Sequence, residues 1–417
     1  MKFFIQDPSY EKSKYLHETL LTECKNGCIG AGVYAFATKD GIELLLEDEN
    51  FKKFMQTGKF FLIVGMDDIT NVNAIETLRK FKEKYKNHLE VKAYIHNSSG
   101  STFHPKYSWF KKNNGGVLIL GSGNLTHQGL RHNREAYSVI DFDDVGISDL
   151  ISEWNEWILH SNPFLFDVSN DIVIEKAQQN SDKLRATVEA QKVVKSRAHI
   201  ATYAALAEIY KSQPQNREYE LTNKKNQDIS MKESADIKQD PHIDNGDEEL
   251  DVDMSYWVLK ADDEMLFAEI PKNGDRMSQV NFDKQSFEEY FGAKCGQNGD
   301  YRILFREVNK DGSLSNVEVR PSVSVESHNY RFELEAAKGV NYPKDGRRPV
   351  GVFAKISQRD FMYEIVMPDD RVYQQVIEIM DTKKQYSNNM RRLRFLCSEV
   401  YENTQGLQIM KRLDINE

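Results

Sequence analysis

Residues 101–135, STFHPKYSWFKKNNGGVLILGSGNLTHQGLRHNRE, gather His104, Lys106, Ser122, Asn124 and Glu135 into one short span. An imidazole can attack phosphorus, while an ammonium and an amide neutralise and hydrogen-bond the non-bridging oxygens. His104 and Lys106 are two residues apart, so on an extended strand both project toward one site. Asn124 closes a Gly121-Ser122-Gly123-Asn124 turn after the apolar run Val117–Leu120, where exposed N–H groups can meet an anion. Glu135 is expected to accept a hydrogen bond from the other imidazole nitrogen and fix its tautomer. Singly, each of these is a common surface feature. In this order and spacing they point to phosphoryl transfer without a metal.

The elements that must position these residues follow from periodicity. Short apolar runs at Gly32–Ala37, Phe60–Gly65, Glu90–Ile95, Gly116–Leu120 and Ala136–Phe142 predict strands. Asn73–Tyr85 and Ile147–Leu159 carry apolar residues at helical spacing. Strand–helix alternation predicts a layered α/β domain over residues 1–165. Residues 166–253 read as a helical segment followed by an acidic flexible linker. Between Pro214 and Asp253 twelve acids face five bases, so this stretch supplies −7 of the formal charge of −10. A near-neutral remainder can carry a basic face.

The motif resembles the phospholipase D superfamily, whose pattern is His-x-Lys, then Gly-Ser-x-Asn, then a downstream acid. His104, Lys106, Ser122, Asn124 and Glu135 fall on those positions, and the resemblance implies catalytic roles for them. Many members carry an Asp soon after the Lys, where this chain has Ser108, Trp109, Phe110 and Lys111. Nucleases of the superfamily commonly lack that Asp, which points away from lipid enzymes. Of ten histidines, only His104 has a Lys two residues on. The two-step chemistry needs a second imidazole as general acid. With one motif per chain, the resemblance implies a homodimer sharing one site across its two-fold axis. His127 and His132 match no motif and are expected in surface or helix-capping roles. The part up to about residue 212 is then expected to dimerise and cleave DNA by itself.

From Met254 the chain becomes β-rich, with short runs separated by Gly, Asp and Asn, which predicts a barrel or sandwich over residues 254–417. Tyr373–Met380 reads as a helix. A single-motif nuclease followed by such a domain resembles the BfiI and NgoFVII types of restriction endonuclease. The stretch YPKDGRRPVGVFAKISQRDFMYEIVMP, residues 342–368, carries that likeness. It implies a C-terminal B3-like pseudobarrel that reads double-stranded DNA. Lys344, Arg347 and Arg348 lie in one basic loop, and Lys272, Arg276, Ser278 and Gln279 in another. Arg on such loops can pair bidentately with guanine. MRRLRFL near the end adds Arg391, Arg392 and Arg394 on an expected helix face.

Composition excludes little else. No apolar run is long enough to span a bilayer, and Asp7-Pro8 interrupts the start before a signal core forms, so a cytoplasmic protein with no membrane partner is expected. Cys24, Cys28, Cys295 and Cys397 do not form a metal-ligand set and read as reduced thiols. No metal or other cofactor is expected. A sequence-specific restriction endonuclease with a companion methyltransferase is the leading reading. The same residues fit a nuclease subunit of an ATP-dependent complex; with no Gly-x4-Gly-Lys-Ser/Thr loop here, its helicase-type ATPase would be a separate protein. A DNA-binding regulator that keeps the nuclease-like domain for dimerisation is the non-enzymatic alternative, and the intact motif speaks against it.

Overall fold

The computed structural model describes residues 1–10, 13–98, 100–197, 256–272, 276–277, 279–293, 301–321, 330–383 and 390–414. Residues 1–182 and 251–417 form one compact unit, and residues 183–250 a second. Most of that second unit, with the acidic stretch and Cys295 besides, lies outside the described residues.

The first half contains, in chain order, β1 (Lys2–Gln6), α1 (Leu16–Cys24), β2 (Gly27–Tyr34), α2 (Lys39–Leu46), α3 (Glu49–Phe54), β3 (Lys59–Gly65) and α4 (Val72–Tyr85). There follow β4 (Leu89–Tyr94), β5 (Lys106–Lys112), β6 (Gly116–Gly121), β7 (Glu135–Phe142), α5 (Asp144–Ser161), β8 (Leu165–Asp167) and α6 (Asp171–Arg197). Polar residues start several helices as their composition demands. Thr38, Asp48, Asn71 and Asp143 accept from the N–H groups of Gly41, Asn50, Ala74 and Gly146 in turn. All eight strands join one mixed sheet in the order β1-β7-β6-β5-β2-β3-β4-β8, with β2, β3 and β4 parallel. One face buries Leu62, Phe60 and Phe110 under Leu20, Leu45, Phe51 and Leu78 from α1 to α4. The other meets α5, whose Trp154 packs on Trp109 and Ile63. The layered α/β architecture expected from periodicity is what the chain forms.

The second half centres on a six-stranded sheet. Its order is Glu318–Pro321, Arg302–Glu307, Asp360–Val366, Val350–Lys355, Glu264–Glu269, Arg392–Leu396. Two short strand pairs accompany it. The expected B3-like pseudobarrel is not seen as a closed barrel. Among the described residues the two edge strands of the sheet do not pair, so it stays open. The predicted helix is present as Tyr373–Asp381. Arg392–Leu396, expected on a helix, is instead a strand, because Leu393 and Phe395 alternate into a core while Arg392 and Arg394 point out of it.

The two halves are joined through buried ion pairs. Arg302 binds Asp48 at 2.6 Å, Arg306 binds Asp40 at 2.9 Å, Arg359 binds Glu18 at 2.8 Å and Arg131 binds Asp360 at 2.8 Å. All eight residues are buried, and Leu304 enters the core of the first half. A charge removed from water must be paired, so these pairs tie residues 1–182 to 251–417. These pairs bear on the expectation that the part up to about residue 212 dimerises and cleaves DNA by itself. That fragment would keep Asp40, Asp48, Glu18 and Arg131 and lose the partner of each.

Candidate active site

Lys106 opens β5 opposite Tyr34 of β2, in the middle of the large sheet. His104 precedes it on extended chain, and the two side chains do meet. The Lys106 Nζ lies 3.0 Å from both ring nitrogens of His104 and donates to the His104 carbonyl at 3.2 Å. Lys106 is only 8% exposed, while His104 is open to solvent. Burial lowers the Lys106 pKa, and the charge of Glu135 pulls it back up. The His104 ring stands edge-on to Phe36, centroids 6.1 Å apart.

Phe36 links imidazole to turn. Its N–H donates to Asn124 Oδ1 at 3.2 Å, and Leu125 N–H donates to the Phe36 carbonyl at 3.1 Å. Asn124 is therefore stitched to the chain leaving β2, the strand that also pairs with Lys106. The tight turn requires glycine at two places. A Cβ on Gly123 would lie 2.7 Å from the Gly129 carbonyl oxygen, and one on Gly129 would lie 2.6 Å from the Asn124 backbone.

Glu135 opens β7 opposite Gln6. Its carboxylate accepts from Ser122 Oγ and, at 3.1 Å, from Asn133 Nδ2. The expected bond from Glu135 to the His104 ring is not formed. Ser122 intervenes, and it also accepts from Ala136 N at 3.1 Å. Glu135 thus reaches the site as a nearby charge and as a support for the turn.

His127 and His132 are not surface residues. His127 is fully buried, 4.7 Å from the Tyr256 ring, with Nε2 3.4 Å from Asp360 Oδ2. His132 packs 4.2 Å from the same Tyr256 ring, and burial lowers its pKa. Both face the second half, where a five-residue π-helical turn, Gln128–His132, carries Arg131 to Asp360. Burial against the second half takes both rings out of contention as the second imidazole.

Sequence reasoning missed Asp67, whose carboxylate accepts from the Phe103 N–H at 2.7 Å and lies 3.4 Å from His96 Nε2. It pins the residue before His104. The available signal was its place just beyond the C-terminal end of a parallel strand, where open α/β sheets hold ligands.

In the second half, Arg276–Met277 pairs with Val340–Asn341, three residues before Lys344. Lys272 and Lys344 are exposed. Arg276 and Gln279 lie on short strands, and Ser278 lies outside the described residues. Arg347 is held by Asp345 at 2.6 Å and Asp369 at 2.9 Å, and Arg348 by Glu269 at 2.9 Å. These arginines must exchange protein partners for any outside anion. Arg391 likewise binds Glu269 and Asp381, and Arg392 donates to the Asn281 carbonyl.

Among the described residues no three His, Cys, Asp or Glu side chains converge as metal ligands, and no helix is long and apolar enough to cross a membrane. Cys24, Cys28 and Cys397 are free thiols.

No family model matches the chain, and no curated protein does. Solved structures with partial likeness include a phospholipase D family member, Nuc from Salmonella typhimurium, at 15% identity over 40% of this chain and 95% of that one, with a TM-score of 0.29. NucT from Helicobacter pylori matches at 15% identity over 40% and 98%, with a TM-score of 0.28. Phosphatidylserine synthase from Haemophilus influenzae matches at 15% identity over 46% and 47%, with a TM-score of 0.29. Overlap at that level carries no argument, so function must be argued from the residues.

Proposed function

We propose that the chain is a phosphodiester hydrolase of the phospholipase D type that acts on double-stranded DNA as a sequence-specific restriction endonuclease. The observation that supports this most is the exposed His104 imidazole set on the buried Lys106 ammonium, with Asn124 tied to the same strand end. In the first step a neutral His104 nitrogen attacks phosphorus, and the bond to the leaving oxygen breaks. The partner's His104, protonated, donates its proton to that oxygen. In the second step the same ring, now neutral, takes a proton from water. The water oxygen attacks the phosphohistidine and breaks the P–N bond. Lys106 and Asn124 offset charge on the non-bridging oxygens throughout. Phe36 and Lys106 hold the ring; Glu135 and Ser122 hold the turn.

Two imidazoles at one phosphorus imply a homodimer with one shared site, since His127 and His132 are occupied elsewhere. The exposed Lys272 and Lys344, near the paired strands Arg276–Met277 and Val340–Asn341, support duplex recognition by the second half. The reaction as written uses only protein groups and needs no cofactor.

The test is cleavage of plasmid DNA in excess EDTA, with rapid-quench trapping of a ³²P-labelled, acid-labile phosphoprotein. Wild type should cut and label, and His104→Ala should do neither while still binding DNA. Activity that vanishes with chelator and returns with magnesium would sink the mechanism.

A further inference from the structure

The described residues of α6 that are fully buried are Val173, Ala177 and Asn180, spaced four and then three apart on one face. Val173 and Ala177 join the core of the first half. An apolar residue would continue that stripe at 180, yet the chain places an amide there, only 2% exposed. Its Nδ2 donates to the Met66 carbonyl at 3.0 Å and to the Thr70 carbonyl at 2.9 Å. Both partners are acceptors, so the two hydrogens of the amide nitrogen must face them. Among the described residues the Asn180 Oδ1 accepts no bond. A buried polar atom left unbonded costs stability that a leucine here would not. The amide is therefore explained by what its nitrogen holds.

It holds the loop 66–71 between β3 and α4. Ser181 Oγ, the next residue along α6, accepts from the Val72 N–H at 3.3 Å where that loop ends. Two threads run from the loop to the candidate site. Asp67 accepts from the Phe103 N–H at 2.7 Å, one residue before His104. Thr70 Oγ1 accepts from the Ala37 N–H at 3.1 Å, one residue after Phe36. Phe36 in turn gives its N–H to Asn124 and faces the His104 ring. Ala37 is also bridged to Leu125, beside Asn124. One thread thus steadies the arm of the imidazole and the other the arm of the turn. They leave the loop three residues apart, between the two carbonyls that Asn180 ties together.

We propose that Asn180 is a positioning residue for phosphoryl transfer. By clasping Met66 and Thr70 it fixes the loop 66–71 and, through it, the spacing of His104 and Asn124. The proposal rests on the nuclease reading above. An attacking imidazole must meet phosphorus while Asn124 holds a non-bridging oxygen, and a misplacement of about 1 Å costs roughly a hundredfold in rate. Duplex recognition is assigned to the second half, so the loss should fall on kcat and spare KM.

The test is steady-state DNA cleavage by the full chain, measured well below each variant's unfolding midpoint, with hydrogen–deuterium exchange in parallel. Asn180→Leu, which fills the stripe and removes both donors, should lose roughly tenfold to a hundredfold in kcat at unchanged KM. Should it fail to fold, Asn180→Ala takes its place. Thr70→Val should show the same split, and Thr70→Ser, which keeps the acceptor, should recover most of the rate. Val173→Ala, on the same stripe but bonded to nothing in the loop, should lower the midpoint and leave kcat alone. Peptides covering residues 34–38 and 102–106 should exchange faster in Asn180→Leu and not in Val173→Ala. A wild-type kcat in Asn180→Leu, or an equal loss in Val173→Ala, would overturn the proposal. If wild type does not cut DNA, the nuclease reading falls and exchange alone decides the clasp: faster exchange in both peptides upholds it, and no change in either removes it.

Discussion

Arg131→Met is the most informative single substitution. The Arg131 guanidinium is fully buried. Its Nε donates to Asp360 Oδ1 at 2.9 Å and its Nη2 to the Arg302 carbonyl at 3.0 Å, and it lies 3.6 Å from Glu18 and over the Tyr15 ring. Burial alone would raise the Asp360 pKa, but the charge of Arg131 and the bonds from His127 and Arg131 hold it far below the ordinary carboxylate range. Methionine fills similar space and removes the charge, leaving Asp360 with the Tyr256 hydroxyl at 2.8 Å and His127. Breaking a buried pair from one side costs about 3–5 kcal/mol. That is about a third of the stability of a typical domain. Urea unfolding followed by fluorescence and circular dichroism would read the loss. Lys310→Met, which breaks an exposed pair with Asp370, should cost at most about 1 kcal/mol. Arg131→Met/Asp360→Leu should recover much of the single-variant loss, since neither charge then remains. A loss for Arg131→Met no larger than for Lys310→Met would refute the view that these pairs hold the halves together.

Two further tests use pH. Burial pushes the His17 pKa down to about 3, with the Arg131 charge adding to it, and its ring bonds the Leu44 carbonyl at 2.8 Å. A depressed histidine contributes stability that is complete above the unfolded value of about 6.5 and is lost as pH falls toward 3, at about 1.4 kcal/mol per unit. Between pH 7 and pH 5 wild type should therefore lose about 2 kcal/mol more than His17→Gln; equal losses would refute the assignment. Glu364 is the opposite case: burial raises its pKa to about 7, although it accepts from the Ile409 N–H at 3.0 Å. Its stability is complete below about 4.5 and is lost as pH rises through 7. Glu364→Gln should then gain about 3 kcal/mol at pH 8 and nothing at pH 4.5, measured by denaturant midpoints.

How much of this was legible depends on how far each signal reaches along the chain. The strands at Lys59–Gly65, Leu89–Tyr94 and Gly116–Gly121 sit where apolar runs predict them. The segment KFFIQ was missed because its two outward residues, Phe3 and Ile5, are apolar and blur the alternation. KYSWFKK forms a strand whose apolar run is cut short by lysines at both ends, so only the spacing of His104 and Lys106 points to extended chain there. In MRRLRFL the period of two was present and outweighed by the run of arginines. Within the site, the pairing of His104 with Lys106 followed from spacing of two. The route from Glu135 through Ser122 did not, because three acceptors and donors compete there and only the fold decides. Nothing local marks Asp40 and Asp48 as partners of arginines more than 250 residues away.

The four buried pairs also bear on how such a protein can change its target over evolutionary time. A recognition half that hangs on a linker can be traded between relatives like a cartridge. Here each arginine–carboxylate pair is a key fitted to one lock, and the lock that holds Asp360 lies in the segment between Asn124 and Glu135. A transplanted second half would arrive with mismatched charges buried against the first. Under the proposed function, new DNA specificity would arise by substitution at exposed positions such as Lys344 and Lys272, with the seam inherited whole.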